Sequence, residues 1–446
     1  MNTVIVDFSK TVGNIKPMHS VNNGPVYKFT ADQRISNIVP YREAGIPYAR
    51  NHDASFYATY GGEHIVDVHA IFPDFDADPN DPASYDFDLT DDYLKMIEAA
   101  GTKVFYRLGS KIEHSRKKYG TLVPKDPHKW AVICEHIIRH YTEGWADGFH
   151  MDIEYWEIWN EPDIPLPHKP NWSGTDEQFF ELFNVTLAHL KGCFPHLKIG
   201  GPACGSIIPE WLERFFASFG EVKPDFLSWH CYGATVERMQ KKMRLAREIL
   251  DAHGLTACES ILNEWNYVRG WEGEEWIYSL KTEKGLKGSA YIAANMLMAQ
   301  HEPLDHLMFY DARPCGMNSM FSTDFVFECL KGYYPFWMFN QLYRQQNEVA
   351  CTTKGECIWA AAAKGDEQNV MFCYYDDNDD APARDVKVEF CNVENKNGVL
   401  LSYYLLDGEH DAALVREEVF TAENFAAYLK MPLHSTYLLK ITPISR

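Results

Sequence analysis

Two glutamates stand at the ends of apolar, strand-like runs, each among aromatic and amide neighbours. One lies in Trp159-Asn160-Glu161-Pro162 and the other in Leu262-Asn263-Glu264-Trp265-Asn266. Two carboxyls facing one site are what cleavage of a glycosidic bond requires. One acid protonates the leaving oxygen while the other stabilises or attacks the anomeric carbon. Aromatic neighbours offer stacking faces for sugar rings and desolvate an acid, which raises its pKa. An Asn beside the acid can hydrogen-bond a sugar hydroxyl. A single strand-end Glu is ordinarily a loop charge or a cap; a matched pair is harder to explain that way. Glu154 and Glu157 share the first run but lie deeper in it, and are expected to be buried or paired in the wall.

The elements that must hold these glutamates follow from the periodicity. Apolar runs of strand type occur at 15–22, 46–51, 103–108, 152–159, 197–203, 225–232, 259–265 and 305–310. Segments with helical spacing lie between and after them, at 90–100, 127–142, 175–192, 235–253, 289–301 and 332–345. Thr90 reads as an N-cap with Gly101 past the end, Pro127 opens the second helix, and Thr175 opens the third. Eight strands alternating with helices predict an α/β fold, a (β/α)8 TIM barrel over residues 14–347. A doubly wound sheet would call for a glycine-rich phosphate turn, and the sequence has none. Glu161 and Glu264 then fall after the fourth and seventh strands, on the face where such barrels keep their chemistry. Beyond residue 348 the pattern changes to short alternating strands separated by turn clusters such as Asp376–Pro382. This predicts a small antiparallel β-sandwich from 348–446, with residues 1–13 joining it as an extra strand.

Composition narrows the function classes. The 446 residues carry 42 Lys plus Arg against 63 Asp plus Glu, a net charge of −21. Such a charge repels phosphates and anionic lipid, so neither nucleic acid nor membrane is an expected partner. No run approaches the roughly 18 apolar residues of a membrane span. The start, MNTVIVDFSK, lacks the basic and apolar regions of a signal peptide, and the 11 Cys show no paired framework. The reading is a cytoplasmic protein; a mature secreted form already relieved of its leader would read the same way. No His-x-His or His-Glu-x-x-His spacing stands at a strand end, so neither metal nor other cofactor is expected. A homo-oligomer is left open.

With those residues in hand, Trp159-Asn160-Glu161-Pro162 resembles the acid/base motif of clan A glycoside hydrolases. The whole chain further resembles glycoside hydrolase family 39, the family of β-xylosidases and α-L-iduronidases. Four other stretches carry the resemblance: Lys16-Pro17 through Val21-Asn22-Asn23-Gly24-Pro25, Arg50-Asn51-His52-Asp53, Ser228-Trp229-His230-Cys231-Tyr232-Gly233, and Ile261-Leu262-Asn263-Glu264-Trp265. The resemblance implies a retaining enzyme with Glu161 as general acid/base and Glu264 as nucleophile. It implies that Asn160 binds the hydroxyl next to the anomeric carbon and that Arg50 keeps Glu264 ionised. His230 and Tyr232 would line the floor, although a satisfied core histidine is an equal reading of His230. His52, His19 and Asn23 are candidate hydroxyl ligands. Trp265, Trp271 and Trp276 are candidate sugar platforms, with packing the commoner role for any one Trp.

The expected activity is a retaining exo-glycosidase, best read as a β-D-xylosidase acting on small oligosaccharides. An arabinosidase, a galactosidase or an α-L-iduronidase is the alternative within the family. An inactive carbohydrate-binding barrel is the alternative outside it. A uronic substrate would need a cation for its carboxylate. With Arg50 assigned to the nucleophile, Arg313 and Lys111 are the remaining cations near strand ends. Loops 109–118 and 266–287 would shape the subsites.

Overall fold

The computed structural model describes residues 2–30, 33–52, 65–110, 118, 120–164, 171–314, 316–323, 327–394 and 397–444. After β1 (Asn2–Asn14), the chain enters a closed barrel through β2 (Ser20–Asn22). A small hairpin, β3 (Tyr27–Thr30) and β4 (Gln33–Ser36), precedes β5 (Tyr48–Arg50). The barrel continues with β6 (Lys103–Leu108), β7 (Tyr155–Ile158), β8 (Lys198–Cys204), β9 (Phe226–Gly233), β10 (Glu259–Tyr267) and β11 (His306–Phe309). Every neighbouring pair is parallel, and β11 closes onto β2. Each of the eight expected strands is present.

Ten helices are described: α1 (Ile38–Glu43), α2 (Val68–Ile71), α3 (Asp88–Ala99), α4 (Pro127–Glu143), α5 (Asp176–Cys193), α6 (Pro209–Ala217), α7 (Val236–Ala252), α8 (Gly273–Glu283), α9 (Leu286–Gln300) and α10 (Tyr334–Tyr343). Their starts follow local chemistry. Asp126 accepts from the backbone of His128 and Lys129 ahead of Pro127. Thr175 and Gln178 form a reciprocal capping box at α5. Thr90 is not the N-cap of α3. The helix begins earlier, at Asp88, and the Thr90 hydroxyl donates to the carbonyl of Ile65 from within its first turn.

Inside the barrel the side chains fill in layers. Phe105, Tyr155, Phe226, Ile261 and Met308 form an apolar plug, with Tyr155 reaching down to Glu259 and His306. Above the plug the interior turns polar, and that layer holds the site. Outside, helices cover the strands in one continuous core.

The remaining strands are β12 (Asn347–Lys354), β13 (Ile358–Lys364), β14 (Gln368–Tyr374), β15 (Arg384–Cys391), β16 (Val399–Leu406), β17 (Asp411–Phe420), β18 (Phe425–Met431) and β19 (Thr436–Pro443). With β1 they form one nine-stranded sheet in the order β17-β16-β19-β14-β13-β12-β1-β15-β18. Its inner faces close over a shared core that includes Val6, Phe8, Phe372, Val388, Phe390, Tyr403 and Leu439. The sheet is antiparallel except where β1 lies parallel to β15. Strands β12, β17 and β18 carry no clean apolar alternation, which is why periodicity alone misses them.

One loop of the sandwich braces the barrel. The Asp377 carboxylate accepts from the hydroxyl of Tyr267 at 2.7 Å and pairs with Lys287 at 2.9 Å. Asp379 accepts from Tyr278 at 2.6 Å and also pairs with Lys287. Arg269 lies over the Tyr278 ring and reaches Asp377. The segment that follows β10 is thereby held by residues 90 to 110 positions later in the chain.

Candidate active site

A local irregularity in β10 aims the site. The pairing of β10 with β9 slips between Leu262 and Glu264. A bulge of this kind re-aims side chains that strict alternation would separate. The Asn263 amide therefore reaches inward to Glu157 at 2.5 Å, and the next residue, Glu264, also turns inward to Arg50 at 2.8 Å. At the end of β7 the chain makes a similarly tight turn. Trp159 and Glu161 have φ of +74° and +50°, in the left-handed region that non-glycine residues seldom occupy. Such conformations cost about 1–3 kcal/mol each and persist where the surroundings impose them. Here the Trp159 N–H donates to Leu108 and the Glu161 N–H to Ala203. A Cβ on Gly109 would come within 2.7 Å of the Trp159 Cα, so only glycine permits this approach.

Arg50 is the hub beneath the two carboxyls. Its guanidinium, fully buried, donates to Glu157 at 2.6 Å, Glu264 at 2.8 Å, Asn22 at 3.0 Å and the Asn160 side-chain oxygen at 2.6 Å. The rigid fork of a guanidinium suits this many acceptors. Glu264 also accepts from the Tyr232 hydroxyl at 2.9 Å, and His52 approaches it at 3.4 Å. His230 stands between the glutamates, with Nδ1 2.7 Å from Glu161 and 3.5 Å from Glu264. One carboxylate oxygen from each glutamate and the His230 nitrogen lie within 4.8 Å of one another. Removing Arg50 would strand Glu157 as an unpaired buried charge. Arg50→Ala is expected to cost about 3–5 kcal/mol of stability, read as a lowered urea midpoint. A loss below 1 kcal/mol would mean that the hub matters only for positioning.

Burial decides the electrostatics. It pushes the Glu161 carboxyl up to about 7, with Arg50 pulling weakly the other way. Glu264 is also raised by burial, but His230, the Arg50 charge and the Tyr232 hydroxyl oppose that rise. The anion of the pair therefore belongs on Glu264, which touches the guanidinium, and the proton on Glu161. Burial lowers His230 to about 4, so its ring is neutral near pH 7. Among the polar atoms left without a partner in this buried space are Oε2 of Glu161 and the amide nitrogen of Asn160. They are an available acid and an available donor side by side.

Residues 59–261 match the family model described as glycosyl hydrolases family 39. Over that stretch the chain is similar to glycosyl hydrolases family 39. A β-xylosidase of Geobacillus stearothermophilus is 33% identical over 113 residues, 24% of this chain and 21% of that protein. A β-xylosidase of Caldicellulosiruptor saccharolyticus is 27% identical over 164 residues, 35% of this chain and 30% of that protein. The matches thus span less than a third of either curated relative. Among solved structures, a glucosidase from Croceicoccus marinus superposes with a TM-score of 0.80 at 20% identity, covering 100% of this chain and 99% of that one.

Within the barrel the structure gathers most of the residues singled out by sequence. Asn160, Glu161, Arg50, His230, Tyr232, His52 and Glu264 form one connected polar cluster. Asn23 stands at its edge, but its side chain braces protein groups: its oxygen accepts from the His52 N–H and the Tyr93 hydroxyl, and its nitrogen faces Asp311. Two expectations are corrected. His19 lies before β2, at the opposite end of the barrel, packed on Phe339 and Tyr343 with its ring facing the Gly45 carbonyl. Trp265 points outward after the bulge, is fully buried, and packs on Tyr291 and Phe309. It is a core residue. Trp159, beside Glu161, also faces outward, toward Trp130 and an apolar cavity of about 260 Å³ behind the strand ends. Glu157 is paired in the wall, as expected, and Glu154 pairs with Lys198. Arg313 lies 3.6 Å from Asp311. Lys111 and Asp53 lie outside the described residues.

Sequence reasoning passed over Asn22, Asp163 and Tyr310. Asn22 ties Arg50 to the Asn263 carbonyl. Asp163, buried beside Glu161 and accepting from the Gly205 N–H, is pushed up to about 7 by desolvation. Tyr310 sets its ring edge against His52. Asn22 lies within a quoted stretch and Asp163 directly follows another, and that proximity was the available signal.

Proposed function

We propose that the chain is a retaining exo-glycosidase for neutral sugars, with β-D-xylosides the preferred substrates. The observation that carries this reading is the pair of glutamates. Their nearest oxygens lie within 4.8 Å, Glu264 holds a guanidinium, and Glu161 keeps a buried oxygen with no partner. So close a pair favours direct attack, for which carboxyls stand about 5–5.5 Å apart; insertion of a water needs about 6.5–9.5 Å. Glu264 attacks the anomeric carbon as Glu161 protonates the departing oxygen. A water, deprotonated by Glu161, then releases the sugar from Glu264. The Asn160 amide is placed to bind the hydroxyl beside the anomeric carbon.

The sugar assignment rests on the two curated relatives, both named β-xylosidases, and on charge. Arg50 is committed to Glu157, Glu264 and Asn160, so it offers nothing to a uronic carboxylate. The net charge of −21 gives no long-range attraction for acidic glycans. Aryl β-D-xyloside, β-D-glucoside, β-D-galactoside, α-L-arabinoside and α-L-iduronide, assayed side by side, decide it. Fastest turnover of the xyloside, with the β-anomer of xylose appearing first by NMR, is expected. Preference for the iduronide would overturn the sugar, and first release of the α-anomer would overturn the mechanism. Activity is expected to persist in chelator, since Arg50 already supplies the positive charge that a metal at Glu161, His230 and Glu264 would bring.

The pH dependence follows with a definite sign. Catalysis needs Glu161 protonated, and its raised pKa of about 7 makes that form dominant below pH 7. kcat/KM is expected to fall as pH rises through about 7. In Glu161→Ala, assayed on an activated aryl glycoside, that alkaline limb should vanish. A limb that survives would belong to another group, Asp163 first.

A further inference from the structure

Trp271 lies in the loop after β10, and it is 56% exposed. It is not a stray surface residue. Its ring sits 5.1 Å from that of Tyr232 in an edge contact, and Tyr232 donates its hydroxyl to Glu264. On its other side it stacks on Trp276, 5.4 Å away and inclined by 28°. The three rings form a ladder that begins at the hydrogen-bond partner of Glu264 and ends in solvent. Large exposed aromatics are costly to leave bare, and one backed by a second indole is held ready to stack. The backing is rigid: Trp276 is carried by α8, whose Tyr278 is fastened to Asp379.

We propose that Trp271, backed by Trp276, is a stacking subsite for the sugar or aryl ring that leaves, and so selects for the leaving group. This rests on the glycosidase reading above. The position supports the leaving side of the bond. The buried polar cluster of Asn160, Glu161, His52 and Glu264 has hydroxyl-binding groups for one sugar ring. Trp271 is one phenol ring removed from that cluster and is open to water. A sugar's apolar C–H face lying on an indole is the same burial of flat surface that pairs aromatic rings. The ligand is thus the second ring of a neutral disaccharide, or an aromatic aglycone.

The test compares wild type, Trp271→Phe and Trp271→Ala on β-1,4-xylobiose and on β-xylosyl fluoride, whose leaving group has no ring. The ratio of kcat/KM for xylobiose over that for the fluoride is expected to fall about tenfold in the alanine variant and to be largely kept with phenylalanine. An unmoved ratio overturns the subsite. In parallel, xylobiose is titrated into Glu161→Gln with and without Trp271→Ala, read by tryptophan fluorescence. About tenfold weaker binding without the indole is expected, and equal binding overturns the proposal. Hydrolysis that proceeds with no dependence on Trp271 sinks the subsite and leaves the glycosidase standing. Trp271-dependent xylobiose binding by a wild-type protein that cleaves no glycoside does the reverse.

Discussion

Glu264→Gln is expected to lower turnover of every glycoside by about 10⁴-fold or more, as loss of a nucleophile does in enzymes that act through a covalent intermediate. The amide keeps the shape of the carboxylate but cannot attack, and Arg50 then faces a neutral group. The companion measurement is covalent. A 2-deoxy-2-fluoro xyloside with a good leaving group should inactivate the wild type, and the sugar mass should appear on the peptide holding Glu264. The fluorine slows both steps, and the good leaving group restores only the first, so the intermediate accumulates. A label on Glu161, or on neither glutamate, would reverse the assignment that Arg50 and Tyr232 suggest.

Glu161→Ala should behave differently. Loss of a general acid costs about 10²–10⁴-fold where the leaving oxygen needs a proton. Xylobiose should suffer that full loss, while a dinitrophenyl xyloside, whose leaving group is stable as an anion, should be cleaved at its first step almost as fast as before. Azide can then enter the space vacated by the carboxyl and react with the glycosyl intermediate, giving a β-glycosyl azide. Equal loss on both substrates would make Glu161 a structural residue. The neighbouring Asp163 provides a control, since it too is raised to about 7 by burial but accepts from the Gly205 backbone.

The barrel was legible because each of its strands is an apolar run punctuated by turn residues, and because capping signals such as Asp126 and Thr175 act locally. The N-terminus of α3 was misplaced because Thr90 offers a capping hydroxyl that the structure spends on Ile65 instead. Both glutamates were legible from motif and strand position together. What the sequence did not disclose is direction. Strand alternation puts Asn263 and Glu264 on opposite faces, whereas the bulge in β10 turns both inward and sends Trp265 out to the helices. His19 looked like a ligand because it neighbours a strand that carries site residues, but it lies at that strand's entrance, and only Asn22 and Asn23 lie at its exit. The weak strands β12, β17 and β18 take their places from pairing partners, which no local window contains.

The brace from the sandwich to the loop after β10 bears on how such a protein can be re-engineered. Loop exchange between related barrels treats a loop as an interchangeable part, bounded by the strand and helix it joins. Here the loop has a second owner. Lys287, Tyr278, Tyr267 and Arg269 all lean on Asp377 or Asp379. A transplanted loop 266–287 would arrive without its footing unless residues 375–380 travel with it. The unit of exchange is therefore discontinuous in sequence, two segments about ninety residues apart that must be inherited together.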